Sequence, residues 1–231
     1  MLGAPHAGCF SMALAHELAQ GGHVATSLVS WRDGSVAAPI PVSVGGAMKI
    51  YTRKGDDGTT GLLYGGRVAK DSPAIEANGA VDEAQAAIGL ARAEAEAGSD
   101  LDGLLTGLER DLYVLMAELA TAPANRAKLV AGQTLVTAPM VERIEGLIDE
   151  LTGRFPPITG FVLPGHDRVS AALDVARALV RRAERQALAL MVADAMVGPY
   201  LNRLSDLLWT MARWQEQGES LPSRVAPNEA R

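Results

Sequence analysis

At 231 residues the chain is long enough for one domain with a substantial core and too short for two large independent ones. Apolar residues make up 48% but aromatics only 4%, and the recurrence of Ala, Leu, Val and Glu favours helices over a sandwich or barrel. A formal net charge of -6 excludes a broad basic footprint for nucleic acid or an anionic membrane, so any anion must meet a local cluster of cations.

No apolar run reaches the roughly 18 residues of a membrane span, and the N-terminus lacks the basic start and apolar stretch of a signal peptide, so a cytoplasmic protein is expected. The single cysteine, Cys9, allows no internal disulfide and no Cys-based metal cluster. Before Met48 the only charges are Glu17, Arg32 and Asp33; the segment holds His6, His16 and His23 and a Pro/Gly/Val-rich stretch from Val36 to Ala47. Residues 1–47 are expected to form a poorly ordered extension, from an upstream start codon, with a small packed helix around Ser11 to Gln20 as the alternative. Met48-Lys49-Ile50-Tyr51-Thr52 resembles a natural start followed by a short extended segment. Residues 48–218 then form the bundle domain, and 219–231 a flexible tail.

The first cluster with chemical potential follows at once: Thr52-Arg53-Lys54-Gly55-Asp56-Asp57-Gly58-Thr59-Thr60-Gly61. Exposed backbone N–H groups in such a glycine-bearing run form an anion-binding concavity, and Arg53, Lys54 and the threonine hydroxyls add donors for phosphate oxygens. It is not a Walker A loop, because the spacing differs and no helix follows directly, and an ordinary charged turn reads equally well.

Helical signals begin at Ser72-Pro73, an N-cap followed by proline at the first helical position, and continue through Ile75, Val81, Ala84, Ile88 and Ala91 to Gly98. Ser99 or Asp100 caps a second helix, with Leu101, Leu105, Leu108, Leu112, Leu115 and Leu119, that ends before Pro123. After a loop to about Val136, Thr137 caps a third, stopped by Phe155-Pro156-Pro157. A strand-like Phe161-Val162-Leu163 and the break Pro164-Gly165 precede a fourth helix, expected from about Asp167 to Ala195. Gly198-Pro199 separates it from a fifth, Tyr200 to about Gln217, and the tail beyond Gly218 reads as loose. Five amphipathic helices with short loops pack most simply as an all-α up-and-down bundle.

The second cluster lies on the fourth helix. Arg177, Arg181 and Glu184 are spaced i, i+4, i+7 along one face beside the apolar stripe, with Arg182 and Arg185 adjoining. Guanidiniums near a core need carboxylates or phosphates, although a solvated basic face fits the same spacing. Asn202-Arg203-Leu204-Ser205-Asp206 adds polar groups to the fifth helix. The bundle is ferritin-like in outline, but a di-iron site needs a Glu-x-x-His repeat and only His166 follows residue 47; a hydrolase would rest on that same histidine without a Gly-x-Ser-x-Gly elbow.

In this order the segments resemble the PduO-type ATP:cob(I)alamin adenosyltransferases, from Met48 to about Gln217. The resemblance is carried by Lys49 to Arg53 with Gly55 to Thr60, Val81-Asp82-Glu83, Leu119-Ala120-Thr121, Phe161 to Gly165, Arg181 to Arg185 and Asn202 to Asp206. It implies a trimer of five-helix bundles, with ATP held between subunits by Thr52, Arg53, Lys54, Gly55, Thr60, Gly61 and Lys70 of one and by Arg181, Arg182, Ala183, Glu184, Arg185 and Asn202 of the other. Asp82 would pair with Arg177 across the interface. Phe161 would stand against the lower face of the corrin ring, displacing the axial base, although on residue type alone it reads as well as a core phenylalanine. ATP, cobalamin and Mg²⁺ are the implied ligands, with no metal-ligating residues assigned and with hand-off of the product to an adenosylcobalamin-dependent enzyme. The chain departs from the family in placing His166 after Gly165, Asp174 where histidine is common, and no aromatic in its C-terminal tail. A carrier or sensor that binds nucleotide or corrinoid without chemistry is the rival reading.

Overall fold

The structure, a computed structural model, describes residues 51, 53–190, 192 and 194–224. The expectations for residues 1–47, for Lys49, Ile50 and Thr52, and for the last part of the tail lie outside the described residues. A small antiparallel hairpin, β1 (Thr59–Gly61) and β2 (Arg67–Ala69), precedes five helices: α1 (Pro73–Glu94), α2 (Asp100–Leu119), α3 (Ala138–Thr152), α4 (Arg168–Ala187) and α5 (Val197–Glu216). Short 3₁₀ turns occupy Pro123–Lys128 and Leu188–Leu190. No helix among the described residues is long and apolar enough to cross a membrane.

The helix starts follow their caps. Ser99 accepts from the Asp102 amide at 3.3 Å, and Asp167 and Ser170 form a reciprocal capping box at 2.8 and 3.2 Å. Ser72 and Thr137 occupy the N-cap positions of α1 and α3 without a side-chain bond, each followed by a proline whose fixed φ starts the helix instead.

Two boundaries differ from the sequence expectation. α4 ends at Ala187, not near Ala195, because its apolar stripe runs out there: Ala187 is fully buried, Leu188 is exposed, and Asp194 takes a left-handed φ of 65°. Gly198-Pro199 lies within the first turn of α5, where proline's missing N–H has no intrahelical partner to lose.

Cross-helix bonds define the arrangement. Asn78 donates to the Met116 carbonyl at 2.8 Å and Gln85 to that of Glu109 at 2.8 Å, so α1 and α2 are antiparallel. Glu83–Arg182 at 2.8 Å and Glu94–Arg168 at 3.7 Å set α4 antiparallel to α1. Asp174–Arg213 and Glu184–Asn202 do the same for α5 against α4. Glu145–Arg203, with the Arg154 guanidinium over the Trp214 ring, makes α3 parallel to α5, and Arg143–Asp111 closes α3 onto α2. The result is an up-and-down bundle with cyclic order α1, α2, α3, α5, α4, around a core that includes Ile88, Leu105, Leu112, Ile144, Leu173 and Leu204.

Inside this ring the buried carboxylate of Asp111 receives both Arg143 and the Tyr200 hydroxyl, the latter at 2.8 Å. Burial first, then the charge and hydrogen bond of Asp111, push the fully buried Tyr200 hydroxyl well above the ordinary phenol range. The folded state therefore keeps a proton that the unfolded chain releases, and this contribution is complete below about pH 10 and lost as pH rises beyond it. Tyr200→Phe leaves Asp111 its arginine and should cost about 1 kcal/mol at neutral pH. Urea unfolding from about pH 8 to 11 should show a steeper loss of stability for the parent than for the variant; equal slopes would remove Tyr200 from that role.

Candidate functional site

The segment Arg53–Lys70 is shaped by its own bonds. Gly58, at φ 80°, donates to the Gly55 carbonyl at 3.2 Å, and the Lys70 amide donates to the Gly58 carbonyl at 2.9 Å. Asp57 accepts from both the amide and the hydroxyl of Thr59, at 2.9 and 2.8 Å, and those two bonds hold its carboxyl below the usual carboxylate range. A Cβ on Gly55 would lie 3.1 Å from the Lys70 ammonium, so glycine here lets that cation lie against the loop. Thr60 is buried, with its hydroxyl lacking a partner among the described residues. Gly61 ends β1, and Arg53 has φ 60° with its guanidinium 5.7 Å from the Tyr51 ring.

Arg67 ties the loop together and is the residue the sequence reading missed. It donates to the Thr59 hydroxyl (Nε, 3.0 Å; Nη2, 2.5 Å) and to the Lys54 carbonyl (Nη2, 2.7 Å), and stands 3.5 Å from Asp57. Only a planar fork of donors makes these contacts together. The available signal was its position opposite Gly61 after the Gly65-Gly66 turn, whose glycines have φ 103° and 99°.

The tip of this hairpin is docked on the bundle: the Leu63 amide donates to the Ala120 carbonyl at 2.9 Å, just beyond the end of α2. Since α1 and α4 are antiparallel, the loop entering α1 and the arginines near the end of α4 lie at the same end of the molecule. There Arg182 is committed to Glu83, Arg185 donates to the Arg181 carbonyl at 2.9 Å, and Arg181 itself is exposed without an ion-pair partner among the described residues. Glu184 accepts from Asn202 at 3.0 Å. Ala183 is fully buried in the core, so only its main chain is available to a ligand. Asp82 is half-buried on α1, and within the chain Arg177 bonds Asp174 at 3.0 Å.

Phe161 lies beyond the opposite end of α4 and is 85% exposed, which overturns the core-phenylalanine alternative. It shares an extended segment with Leu163, also exposed, and this segment pairs with the chain just past α5 through the bridge Val162–Pro222. The tail that read as loose is thus paired over Leu221–Ser223; the partner segment some 60 residues away made this invisible to a local reading. His166, next to Gly165 at φ 103°, is exposed. Among the described residues no group of three or more His, Cys, Asp or Glu side chains could hold a metal ion.

Residues 50–215 match the family model described as cobalamin adenosyltransferase. A corrinoid adenosyltransferase of Mycobacterium tuberculosis is 40% identical over 170 residues, spanning 71% of this chain and 87% of that one. The human corrinoid adenosyltransferase MMAB is 35% identical over 181 residues, 77% and 72% of the respective chains. A variant PduO-type ATP:corrinoid adenosyltransferase from Lactobacillus reuteri, solved with cobalamin and ATP, superposes with a TM-score of 0.66 at 32% identity, covering 77% of this chain and all of that one.

Arg67→Ala should release the loop from the hairpin, and amide exchange at Lys70 should quicken about tenfold, the equivalent of one charge-assisted hydrogen bond. Exchange at the parent's rate would mean that the loop holds its shape without Arg67.

Proposed function

The chain belongs to the cobalamin adenosyltransferase family, and on that premise we propose how its own residues transfer the 5′-deoxyadenosyl group of ATP to cob(I)alamin, giving adenosylcobalamin and triphosphate. One observation carries the reading: α4 leaves Arg181 without an ion-pair partner among the described residues toward one end and an exposed Phe161 beyond the other, a cation for a polyphosphate and an apolar ring for a corrin. Arg181 stands 13 residues beyond Arg168, the start of the helix, and so about 20 Å along the axis from the end nearest Phe161, which suits two large reactants laid along one side of the bundle.

Cobalt(I) is a strong nucleophile, so the chain supplies no covalent group. It aligns C5′ of ATP with the metal, and the C5′–O bond breaks as the Co–C bond forms. The bonding pair leaves on the triphosphate, and the protein's task is to stabilise that developing charge. Arg181, Arg182, Arg185 and Lys70 supply the cations, the amides of Gly55 and Asp57, not used in the loop's own bonds, supply donors, and Glu184 with Asn202 orients the nucleotide; Thr52, Arg53, Lys54, Thr60 and Gly61 complete this set. Mg²⁺ comes with the triphosphate oxygens, the usual mode for this ion. Phe161 against the lower corrin face keeps the axial base and water from cobalt, and removing that ligand eases reduction of Co(II), because the electron enters an orbital along the same axis.

In the same reading the active assembly is a homotrimer in the cytoplasm, each site joining the loop of one subunit to α4 of its neighbour, with Asp82 and Arg177 paired across the contact. Support comes from an exposed stripe on the α1–α4 face. Leu90 stands seven residues from Glu83 and Val175 seven from Arg182, so these two exposed apolar side chains flank the Glu83–Arg182 pair on matching faces. Sedimentation of the parent as a monomer removes this part of the reading. Hand-off of the product to an adenosylcobalamin-dependent enzyme is the natural sequel, since the product serves as that enzyme's cofactor.

The activity itself is checked by mixing protein, ATP, Mg²⁺ and reduced cobalamin. The adenosylcobalamin spectrum should appear with stoichiometric triphosphate, whereas orthophosphate would indicate an ATPase. Arg181→Ala should lower kcat/KM for ATP by more than about tenfold, the cost of a lost charged partner; unchanged kinetics would remove Arg181 from the site. Phe161→Ala should leave ATP affinity intact and slow Co(II) reduction, and equal reduction rates would contradict its role.

A further inference from the structure

Phe161 presents an unusual positioning problem. A ring that is 85% exposed, followed by a Leu163 that is 45% exposed, has no helix among the described residues packed over it to fix where it stands. What holds this segment is backbone pairing with the tail: the Leu163 amide donates to the Leu221 carbonyl at 2.8 Å, and the Ser223 amide donates to the Phe161 carbonyl at 2.8 Å. These bonds flank the Val162–Pro222 bridge, a non-hydrogen-bonded pair in which the proline's missing N–H points away from the partner.

The tail is in turn fixed from inside the bundle. Ser220 donates its hydroxyl to one oxygen of Glu216, whose other oxygen accepts from Arg213 Nη2 at 2.8 Å. The same Nη2 reaches Asp174 at 2.7 Å, and the second oxygen of Asp174 accepts from Arg177 at 3.0 Å. Arg213 is 1% exposed, Glu216 1% and Asp174 5%. The chain of alternating charges is neutral and uses both oxygens of each carboxylate, with Arg213 Nε alone in it buried without a partner among the described residues; removing one member strands its neighbour. Between this anchor and the pairing, Gln217 and Gly218 turn the backbone through φ 50° and 92°, and a Cβ on Gly218 would meet Pro156 at 3.0 Å, so the exit path from α5 has little room to vary.

We propose that residues 218–223 form a strap that sets the position of Phe161, with Ser220, Glu216 and Arg213 as its positioning residues. The inference rests on the reading of Phe161 as the corrin-facing ring, and adds that the ring is aimed by the buried charges between α4 and α5 through the tail.

Two disruptive substitutions and one conservative control in the full chain test it. Ser223→Pro removes the amide that holds the Phe161 carbonyl, at an exposed position away from the buried charges. Ser220→Ala detaches the tail from Glu216, while Ser220→Thr keeps the hydroxyl. For Ser223→Pro and Ser220→Ala, exchange of the Leu163 amide should quicken about tenfold and KM for cob(I)alamin should rise about fivefold, the scale of one lost hydrogen bond, with KM for ATP within about twofold. Ser220→Thr should restore both. Unchanged exchange, faster exchange with unaltered corrinoid kinetics, or equal rises in both KM values would each overturn the strap. Failure of the parent to form adenosylcobalamin would instead sink the adenosyl-transfer reading, and the exchange measurement alone would still decide whether the tail holds Phe161.

Discussion

The close approach of α1 and α4 is the contact on which the remaining geometry depends. Ala77, Ala80, Ala84, Ala87 and Ala91 on α1 and Ala172, Ala176, Ala183 and Ala187 on α4 are all buried in one core. Methyl groups at this spacing let two backbones come near each other, with Val81, Ile88, Leu173 and Val180 buried in the same core. Glu83–Arg182 and Glu94–Arg168 flank the seam and agree with a single antiparallel register. That register carries the glycine-bearing loop and the α4 arginines to the same end of the bundle. A larger residue within the seam would shift α4 against α1 and with it the placement of both groups at that end.

Most of the helical frame was legible because this chain punctuates its helices strongly. Ser99 and the Asp167/Ser170 box mark two starts by side-chain bonds, and Pro73 and Pro139 mark two others by fixed φ, so position was read correctly even where Ser72 and Thr137 make no cap bond. The end of α4 was misjudged for a physical reason: residues 188–195 have good helix propensity, but Leu188 and Val192 are exposed, and Leu190 reaches the core from a 3₁₀ turn and not from a continued α-helical stripe. The hairpin escaped notice because strands of three residues are too short to display a period, and the tail because its partner is remote in sequence.

The site residues were legible by type and much less so by role. For Arg181 and Phe161 the residue types left two readings each, and the structure adds their surroundings: an exposed cation without an ion-pair partner among the described residues, and an apolar ring in solvent. Arg67 was not read at all, since its task is to close a loop by three local contacts that a linear pattern does not display. Arg213 and Glu216 resemble an ordinary i, i+3 surface pair; burial turns them into part of a four-residue ionic chain. Asp174 supplies the fixed negative charge that both Arg177 and Arg213 need.

The exposure of Phe161 has a consequence for ligand energetics. Folding leaves its ring in water, so the roughly 1.5–3 kcal/mol that burial of such a side chain yields is not used to stabilise the bundle. It remains available to whatever flat apolar surface covers the ring, enough to tighten a dissociation constant by one to two orders of magnitude, at about 1.4 kcal/mol per tenfold. Hydrophobic free energy left undischarged in the apoprotein thereby becomes recognition, and the empty enzyme carries a sticky spot in proportion.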